Sequence, residues 1–382
     1  MNMYMSIFFW LTIAGIIVLL IAAIPYIIYL FGITFGKKIK PVETDLKNLP
    51  NISIVICAYK EERNIAKKIQ SICDCTYPQD KIEVIIVIDK SEDNTEVVAE
   101  DTLKKTSLKW KTYLNTERTG KNKSLNMGIN MASNDIIIDT DADVIWAENT
   151  VELLVKRLIS DDKIAAVSAD LQPYSGKDAV TSNEQVYRSF YGRMSEWESA
   201  NDATYSFNGN LIALNRNIVG EITESIGPDD ANIAFVAIRN GYRTIYDNSA
   251  KVYEELPVNM KKQYAQKARR AKGLIQATLA NRDVLKYDRK FSKVFYPLRI
   301  CMYVITPTIF FIGLILTLVG LGGWLPIVLG IVLLLFILIT LIKKGNIITS
   351  FTLNQFYLFM GLYSRRKDAV IWDSTSKKVG EQ

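Results

Sequence analysis

The chain has 382 residues, with 46 Lys and Arg against 40 Asp and Glu and no histidine. Its length suits two or three structural units, and 49% hydrophobic with 23% charged residues excludes wholesale disorder and collagen-like repeats. Without histidine, Ser-His-Asp and Cys-His catalysis, two-His zinc sites and imidazole bases are excluded, so any catalytic base is a carboxylate, Lys, Tyr or Cys.

Charge is segregated along the chain. No Asp, Glu, Lys or Arg precedes Lys37, and none lies between Ile300 and Ile342. Ser6 to Phe31 supplies the ~20 apolar residues of a bilayer-spanning helix. A cleaved secretory signal would need a basic start and a shorter apolar core. Residues 1–36 are therefore expected to form an N-terminal transmembrane helix. Lys37, Lys38 and Lys40 follow it directly, and the basic-residue bias puts that flank on the cytoplasmic side.

From 50 to 256 short β-branched runs alternate with amphipathic stretches. Ile52–Cys57, Ile82–Ile88 and Asp135–Asp139 read as buried strands, and Glu61–Ile72, Glu92–Lys104 and Lys121–Ala132 as the helices between them. That alternation predicts an α/β sheet with parallel pairs, and ligands in such sheets lie beyond the carboxyl ends of the strands. Cys73-x-Cys75 is too cramped for an ordinary disulfide and, without histidine, is a poor zinc nucleus. With Cys57 and Cys301, these residues read as reduced thiols.

Carboxylates sit at the strand ends. Asp89 follows the second strand, where an aspartate is usually a turn residue. Asp141-Ala-Asp143 follows the third; its hard oxygens suit Mg²⁺ or Mn²⁺ on a diphosphate, and a solvated turn is the plain alternative. Between them, Arg118-Thr-Gly-Lys121 opens a helix. It could hold phosphate oxygens, or be an ordinary basic helix start. Gly227-Pro-Asp229-Asp230 precedes a helical stretch at Ala231–Asn240, where an aspartate usually caps the helix.

Residues 256–272 carry Lys261, Lys262, Lys267, Arg269, Arg270 and Lys272 and no acid. Gln266 and Arg269 share a helix face. A juxtamembrane helix on anionic lipid explains the charge; with no recognisable nucleic-acid motif, a nucleic-acid partner is not expected. The uncharged stretch 300–342 would be roughly 64 Å long as one helix, which makes two spans with a turn at Gly320–Pro326. The basic flanks Arg289, Lys290, Lys293, Arg299 and Lys343-Lys344 put both outer ends on the cytoplasmic side. Residues 345–364, with scattered polar side chains before Arg365-Arg366-Lys367, read as an interfacial or re-entrant helix.

Taken in order, these motifs resemble the membrane-bound family 2 glycosyltransferases, such as hyaluronan, chitin and cellulose synthases and ceramide glucosyltransferase. The resemblance covers about residues 50 to 275 of the chain. It implies a GT-A-like, Rossmann-related α/β domain with a mixed, largely parallel sheet, facing the cytoplasm between transmembrane helices of the cell membrane. Ala58, Tyr59 and Glu61 resemble the family's opening nucleotide pocket, and Asp89 its contact to the uracil end of the donor. Arg118 and Lys121 resemble its Arg-x-Gly-Lys element, and Asp141 and Asp143 its metal-binding Asp-x-Asp. Asp229-Asp230 stands where the family has Glu-Asp, implying Asp230 as general base. Gln266, Arg269 and Arg270 stand where it has Gln-x-x-Arg-Trp.

The implied activity is inverting, metal-dependent transfer of a sugar from a nucleotide-sugar donor, preferably a UDP-sugar, with Mn²⁺ or Mg²⁺. The acceptor would be a membrane lipid, a lipid-linked group or a growing glycan. Arg270 replaces the aromatic platform of the polymerising members, which favours single transfer over processive synthesis. Outside catalysis, the rival is an inactive nucleotide-sugar-binding scaffold. A transporter is not expected, since the uncharged stretches before Lys37 and from Ile300 to Ile342 carry no ionisable residue to line a path. Trp197, Asn208 and Gly209 are acceptor-side candidates together with Asp229; a core tryptophan and a plain turn are the alternatives. Trp372 could cover the donor cleft or anchor the tail at the interface. The expected units are 1–36, the catalytic domain 50–256, basic interfacial helices 257–295, two spans in 296–342, and 343–382 as interfacial helix and tail.

Overall fold

The computed structural model describes residues 3–42, 48–174, 179–207, 210–224, 226–255, 260–322, 327–329, 331–332, 335 and 347–363. Asn208, Gly209 and Trp372 lie outside the described residues, as do most of the second span expected in 296–342 and the tail after 363.

A single sheet organises the middle of the chain. Strands β1 (Ile52–Ala58) and β2 (Ile82–Ile88) are nearly continuous apolar runs and β4 (Ile136–Asp141) opens with three isoleucines, and all three are buried along almost their whole length, as strands covered on both faces must be. β3 (Lys109–Leu114) instead alternates exposed Lys109 and Lys111 with half-buried residues, which suits an edge strand. With β5 (Val144–Trp146), β6 (Ile164–Pro173), β7 (Leu211–Asn215) and β8 (Arg243–Glu254), the order is β3-β2-β1-β4-β7-β6-β8-β5. The β1–β2, β1–β4, β2–β3 and β6–β8 pairs are parallel, and the β4–β7, β6–β7 and β5–β8 pairs antiparallel. The mixed, largely parallel sheet is the one expected.

Helices α2 (Ile65–Cys73), α3 (Thr95–Leu103), α4 (Lys121–Met131), α5 (Thr150–Ile159), α6 (Ala179–Asn201), α7 (Arg216–Val219), α8 (Asp229–Arg239) and α9 (Met260–Ala280) surround it. α2 and α3 begin several residues later than the periodicity suggests, because the chain first turns at each strand end. Lys60 and Lys90, each two residues past its strand, adopt left-handed φ of 56° and 40°. Such backbone is uncommon for a long side chain and persists only where surroundings hold it. Here the Lys60 amide donates to Ser91 Oγ at 2.8 Å, tying the two turns together.

Among the described residues, two apolar helices are long enough by length and composition to cross a bilayer: α1 (Met3–Phe35) and α10 (Phe291–Gly320). They pack closely because small residues meet. A Cβ on Gly15 would overlap Thr317 of α10, the kind of backbone approach that small residues permit between apolar helices. α11 (Ile347–Tyr363) lies across this pair. Its Phe351, Phe359 and Tyr363 meet Phe310, Phe311 and Thr308, all within one turn of α10. Two of its polar residues point inward, Asn354 donating to the Tyr191 hydroxyl and Gln355 to that of Tyr26, both at 2.7 Å.

A buried polar cluster fastens the long helices to the sheet domain. Arg299 of α10 and Glu198 of α6 are fully buried and paired at 2.6 Å. Tyr29 of α1 and Thr204 donate to the same carboxylate, while Ser195 and Tyr303 accept from Arg299. A buried ion pair holds only when its remaining donors and acceptors are satisfied; this one nearly exhausts them.

Candidate active site

The parallel half of the sheet aims its carboxyl ends at one cleft. Asp141 is the last residue of β4, two positions further along the strand than expected, and Asp143 lies in the turn to β5. α4 starts at Lys121, directly after Gly120, whose φ of 86° turns the chain into the helix. The register therefore delivers Lys121 Nζ to 2.5 Å from Asp141 Oδ1 and 2.7 Å from Asp229 Oδ2. Asp229 and Asp230 occupy the first turn of α8, one step inside the cap position expected for them; Pro228 is the cap residue. Acidic residues favour that turn.

These groups share a cavity of about 320 Å³ with Asp143, Asn210, Arg269 and Arg270. Asp229 is neutralised by Lys121, whereas the hydrogen bond to Asp230 comes from the adjacent Ala231 amide at 2.8 Å. Burial, then the Asp229 charge, pushes Asp230 up to about 7. Burial likewise outweighs the Lys121 ammonium and, with the charges of Asp143 and Asp229, takes Asp141 up to about 6. Burial works against the Lys121 charge, but Asp141 and Asp229 hold its ammonium well above the usual range.

Ala58, Tyr59, Asp89 and Arg118 gather beside this cavity at the ends of β1 and β2. The Arg118 guanidinium lies 3.7 Å from the Tyr59 ring centroid, a cation–π stack. Asp89 is fully buried. Its Oδ1 accepts from the Thr119 amide at 2.7 Å and its Oδ2 from the Gly120 amide at 3.0 Å. Asp89 thereby shapes the loop that launches Lys121. Glu61 lines the cavity and accepts from Asn64 at 2.6 Å.

On the far wall, Gln266 and Arg270 of α9 turn to Glu254, the last residue of β8. Gln266 Nε2 donates to it at 3.1 Å and Arg270 Nη2 at 2.9 Å. Arg188 of α6 adds a third bond at 2.9 Å and also pairs with Glu184. Burial alone would raise Glu184, yet Arg188 and Lys267 pull it down to about 2. Arg269, on the next face, is within electrostatic reach of Asp141 and Asp143.

Trp197 corrects the expectation. It does not line the cavity; its ring packs on α1 at Gly32, where a Cβ would overlap it, and against Phe295 with centroids 5.1 Å apart. An indole that seats a long apolar helix has a packing role, the alternative considered for it.

Three residues escaped the sequence reading. Lys68, almost fully buried, donates to Thr140 Oγ1 at 2.7 Å and the Val144 carbonyl at 3.2 Å, bracing the Asp141–Asp143 turn from behind. Burial lowers it to about 7. Asp139, buried on β4 beside Asp229, is pushed well above the usual carboxylate range by burial. Asn122 clamps the loop before α8 through the Thr223 and Gly227 carbonyls, at 3.0 and 3.1 Å. A lysine inside an apolar helix face and an aspartate inside an Ile-rich strand were the available signals.

Among the described residues, no group of three or more metal-ligating side chains is gathered. Asp141 and Asp143 still present hard oxygens two positions apart at a strand end, opposite Arg269. That donor set fits Mg²⁺ or Mn²⁺, ions that fill their remaining positions with diphosphate oxygens and water.

The family described as Glycosyl transferase family 2 matches residues 53–221. A Bacillus subtilis (strain 168) protein, "Probable glycosyltransferase YdaM", is 25% identical over 296 residues, covering 74% of this chain and 69% of that protein. Poly-beta-1,6-N-acetyl-D-glucosamine synthase of Staphylococcus aureus (strain COL) is 24% identical over 262 residues, 65% of this chain and 60% of the synthase. Among solved structures, mannosyltransferase PcManGT from Pyrobaculum calidifontis, in complex with GDP-Man and Mn²⁺, superposes with a TM-score of 0.74 at 25% identity. That match covers 94% of this chain and 97% of the other.

Proposed function

This chain is a glycosyltransferase with a family 2 domain at residues 53–221, and from that premise we propose that it moves a sugar from a nucleoside-diphosphate sugar to a lipid or lipid-linked hydroxyl at the cytoplasmic face of a membrane. α1 and α10 hold the chain in the bilayer, and α11 lies at the interface. The observation that carries the reading is one cavity in which the Asp230 carboxylate faces the group formed by Lys121, Asp141, Asp143 and Arg269.

The nucleotide rests beside Ala58, Tyr59 and Arg118, on the loop that Asp89 fixes. Asp143 and Asp141 would hold a divalent cation, which would supply positive charge to the diphosphate when bound. Arg269, with Gln266 and Arg270 behind it, adds fixed donors on the same wall, placed where charge develops as the leaving group departs. Lys121 keeps Asp141 and Asp229 in place. Asp230 accepts the proton of the acceptor hydroxyl as that oxygen bonds to the sugar C1 on the face opposite the diphosphate. The C1–oxygen bond breaks, nucleoside diphosphate leaves with the bonding pair, and the anomeric configuration inverts.

UDP is the donor nucleotide that the family resemblance favours, and the GDP-Man of PcManGT makes GDP-mannose the first competitor. Membranes containing the protein are incubated with Mn²⁺ and labelled UDP-sugars or GDP-mannose, with Asp230→Asn membranes as blank. Label in a small solvent-extractable product supports the proposal. Label in a large aqueous polymer replaces it with processive synthesis.

A further inference from the structure

A second cleft, of about 670 Å³, shares no lining residue with the Asp230 cavity. It lies where the chain leaves α1, and Lys37, Lys38, Lys40, Arg157, Arg243 and Asp161 line it. Its two arginines are fixed in place. Arg157 Nε bonds buried Asp247 at 2.7 Å, and its Nη2 holds the Lys40 carbonyl at 2.7 Å, so the segment after α1 is strapped to α5. Arg243 donates to the Asp202 and Ser199 carbonyls, each at 3.0 Å, and to Asp161 at 3.2 Å. Asp247 and Asp161 thus balance the arginines. The three lysines are exposed, on a segment that Arg157 holds against the cleft.

The end of α1 just before these lysines exposes apolar rings. Phe31 and Phe35, at 67% and 73%, are the two most exposed large hydrophobic residues among those described on α1, and Phe35 is two residues from Lys37. A ligand that met the lysines alone would leave these rings unused. A molecule with an anionic head and apolar chains meets both halves.

We propose that this cleft binds the phosphodiester headgroup of an anionic membrane lipid, with Lys37, Lys38 and Lys40 contacting the phosphate and Phe31 and Phe35 the acyl chains; the proposal rests on the membrane placement of α1 given above. A phosphate beside three ammonium groups is favoured by charge at the bilayer surface. The strap from Arg157 keeps the lysines from paying the ordering entropy of a free linker when the lipid binds.

The test uses the full chain in neutral detergent and follows thermal unfolding with short-chain phosphatidylglycerol, short-chain phosphatidylcholine or inorganic phosphate. A ligand that binds only the folded state raises the midpoint. Phosphatidylglycerol is expected to raise it by several degrees in the wild type and in K104Q/K105Q/K109Q, which removes the same charge from exposed lysines around the edge strand. It is expected to raise it far less in K37Q/K38Q/K40Q. An equal shift in that variant, or an equal shift with phosphatidylcholine, overturns the site. A shift with inorganic phosphate as large as with phosphatidylglycerol assigns a free anion instead and overturns the lipid. Should the triple variant unfold without ligand, K38Q alone must reduce the shift and K37R/K38R/K40R must keep it. Alkaline carbonate washing of native membranes tests the premise separately. A chain released by carbonate refutes the membrane placement, whereas a carbonate-resistant chain with a lysine-independent shift refutes only the headgroup site.

Discussion

The Arg270 guanidinium closes on Glu254, with Nη2 at 2.9 Å from one carboxylate oxygen and 3.1 Å from the other. Position 270 is where the resemblance expects the tryptophan of Gln-x-x-Arg-Trp. Here a charge takes its place and meets a partner at the end of β8, already bonded by Arg188 and Gln266. The replacement is thus matched by a buried acid, and the wall it builds is polar.

Removing that acid leaves the Arg270 guanidinium without its carboxylate partner and takes one of the two carboxylates paired with Arg188. Glu254→Ala is expected to destabilise the fold by about 3 kcal/mol, the scale for breaking a buried pair from one side. Thermal unfolding in detergent checks this, and Arg270→Met should cost less because its side chain is 40% exposed.

Asp230→Asn should lower turnover roughly 10²- to 10⁴-fold, the usual contribution of a positioned general base. The donor KM and the unfolding midpoint should stay close to wild type, since Lys121 and Asp229 keep their ion pair. Near-normal turnover in a folded variant would remove Asp230 from the mechanism.

The pH profile follows from the direction of the Asp230 shift. Burial first, and Asp229 next, raise it to about 7, so below that pH the carboxyl is protonated and cannot accept the acceptor's proton. kcat/KM should therefore rise with pH through about 7 and level off above it. Asp229→Asn removes the repelling charge, and the ascending limb should move to lower pH.

Chelation by EDTA should abolish transfer, and Mn²⁺ or Mg²⁺ should restore it. Asp143→Asn removes one hard ligand and should raise the metal concentration needed for half-maximal rate, while Lys68→Met should disturb the same turn from behind. Metal titrations of the three proteins at fixed donor concentration separate these effects.

Arg299→Met leaves Glu198 buried without its cation and should destabilise the chain by about 3–5 kcal/mol. Pairing it with Glu198→Leu removes both charges, and the double variant should recover part of that loss. Unfolding midpoints of the four proteins form the double-mutant cycle that measures the coupling.

Much of the architecture was legible because its causes are local. Runs rich in isoleucine and valine mark β1, β2 and the start of β4, and the absence of charge before Lys37 marks α1. The site motifs were legible as residue types at strand ends and helix starts. Their partners were not: nothing near Lys121 in sequence points to Asp229, and Trp197 looked equally suited to a ligand wall or a core. Its seat on Gly32 depends on how α1 crosses α6.

By itself the sequence determined the chemical repertoire: carboxylates without any imidazole, hard oxygens at the strand ends, and apolar blocks flanking an α/β unit. These follow from composition and from periodicities within a few residues, which the backbone reads out locally. Only the tertiary structure decided which charges face one another. Lys121 meets both Asp141 and Asp229, Arg270 meets Glu254, and Arg157 straps Lys40 to the sheet domain, because sheet register and helix crossings bring distant positions to one point.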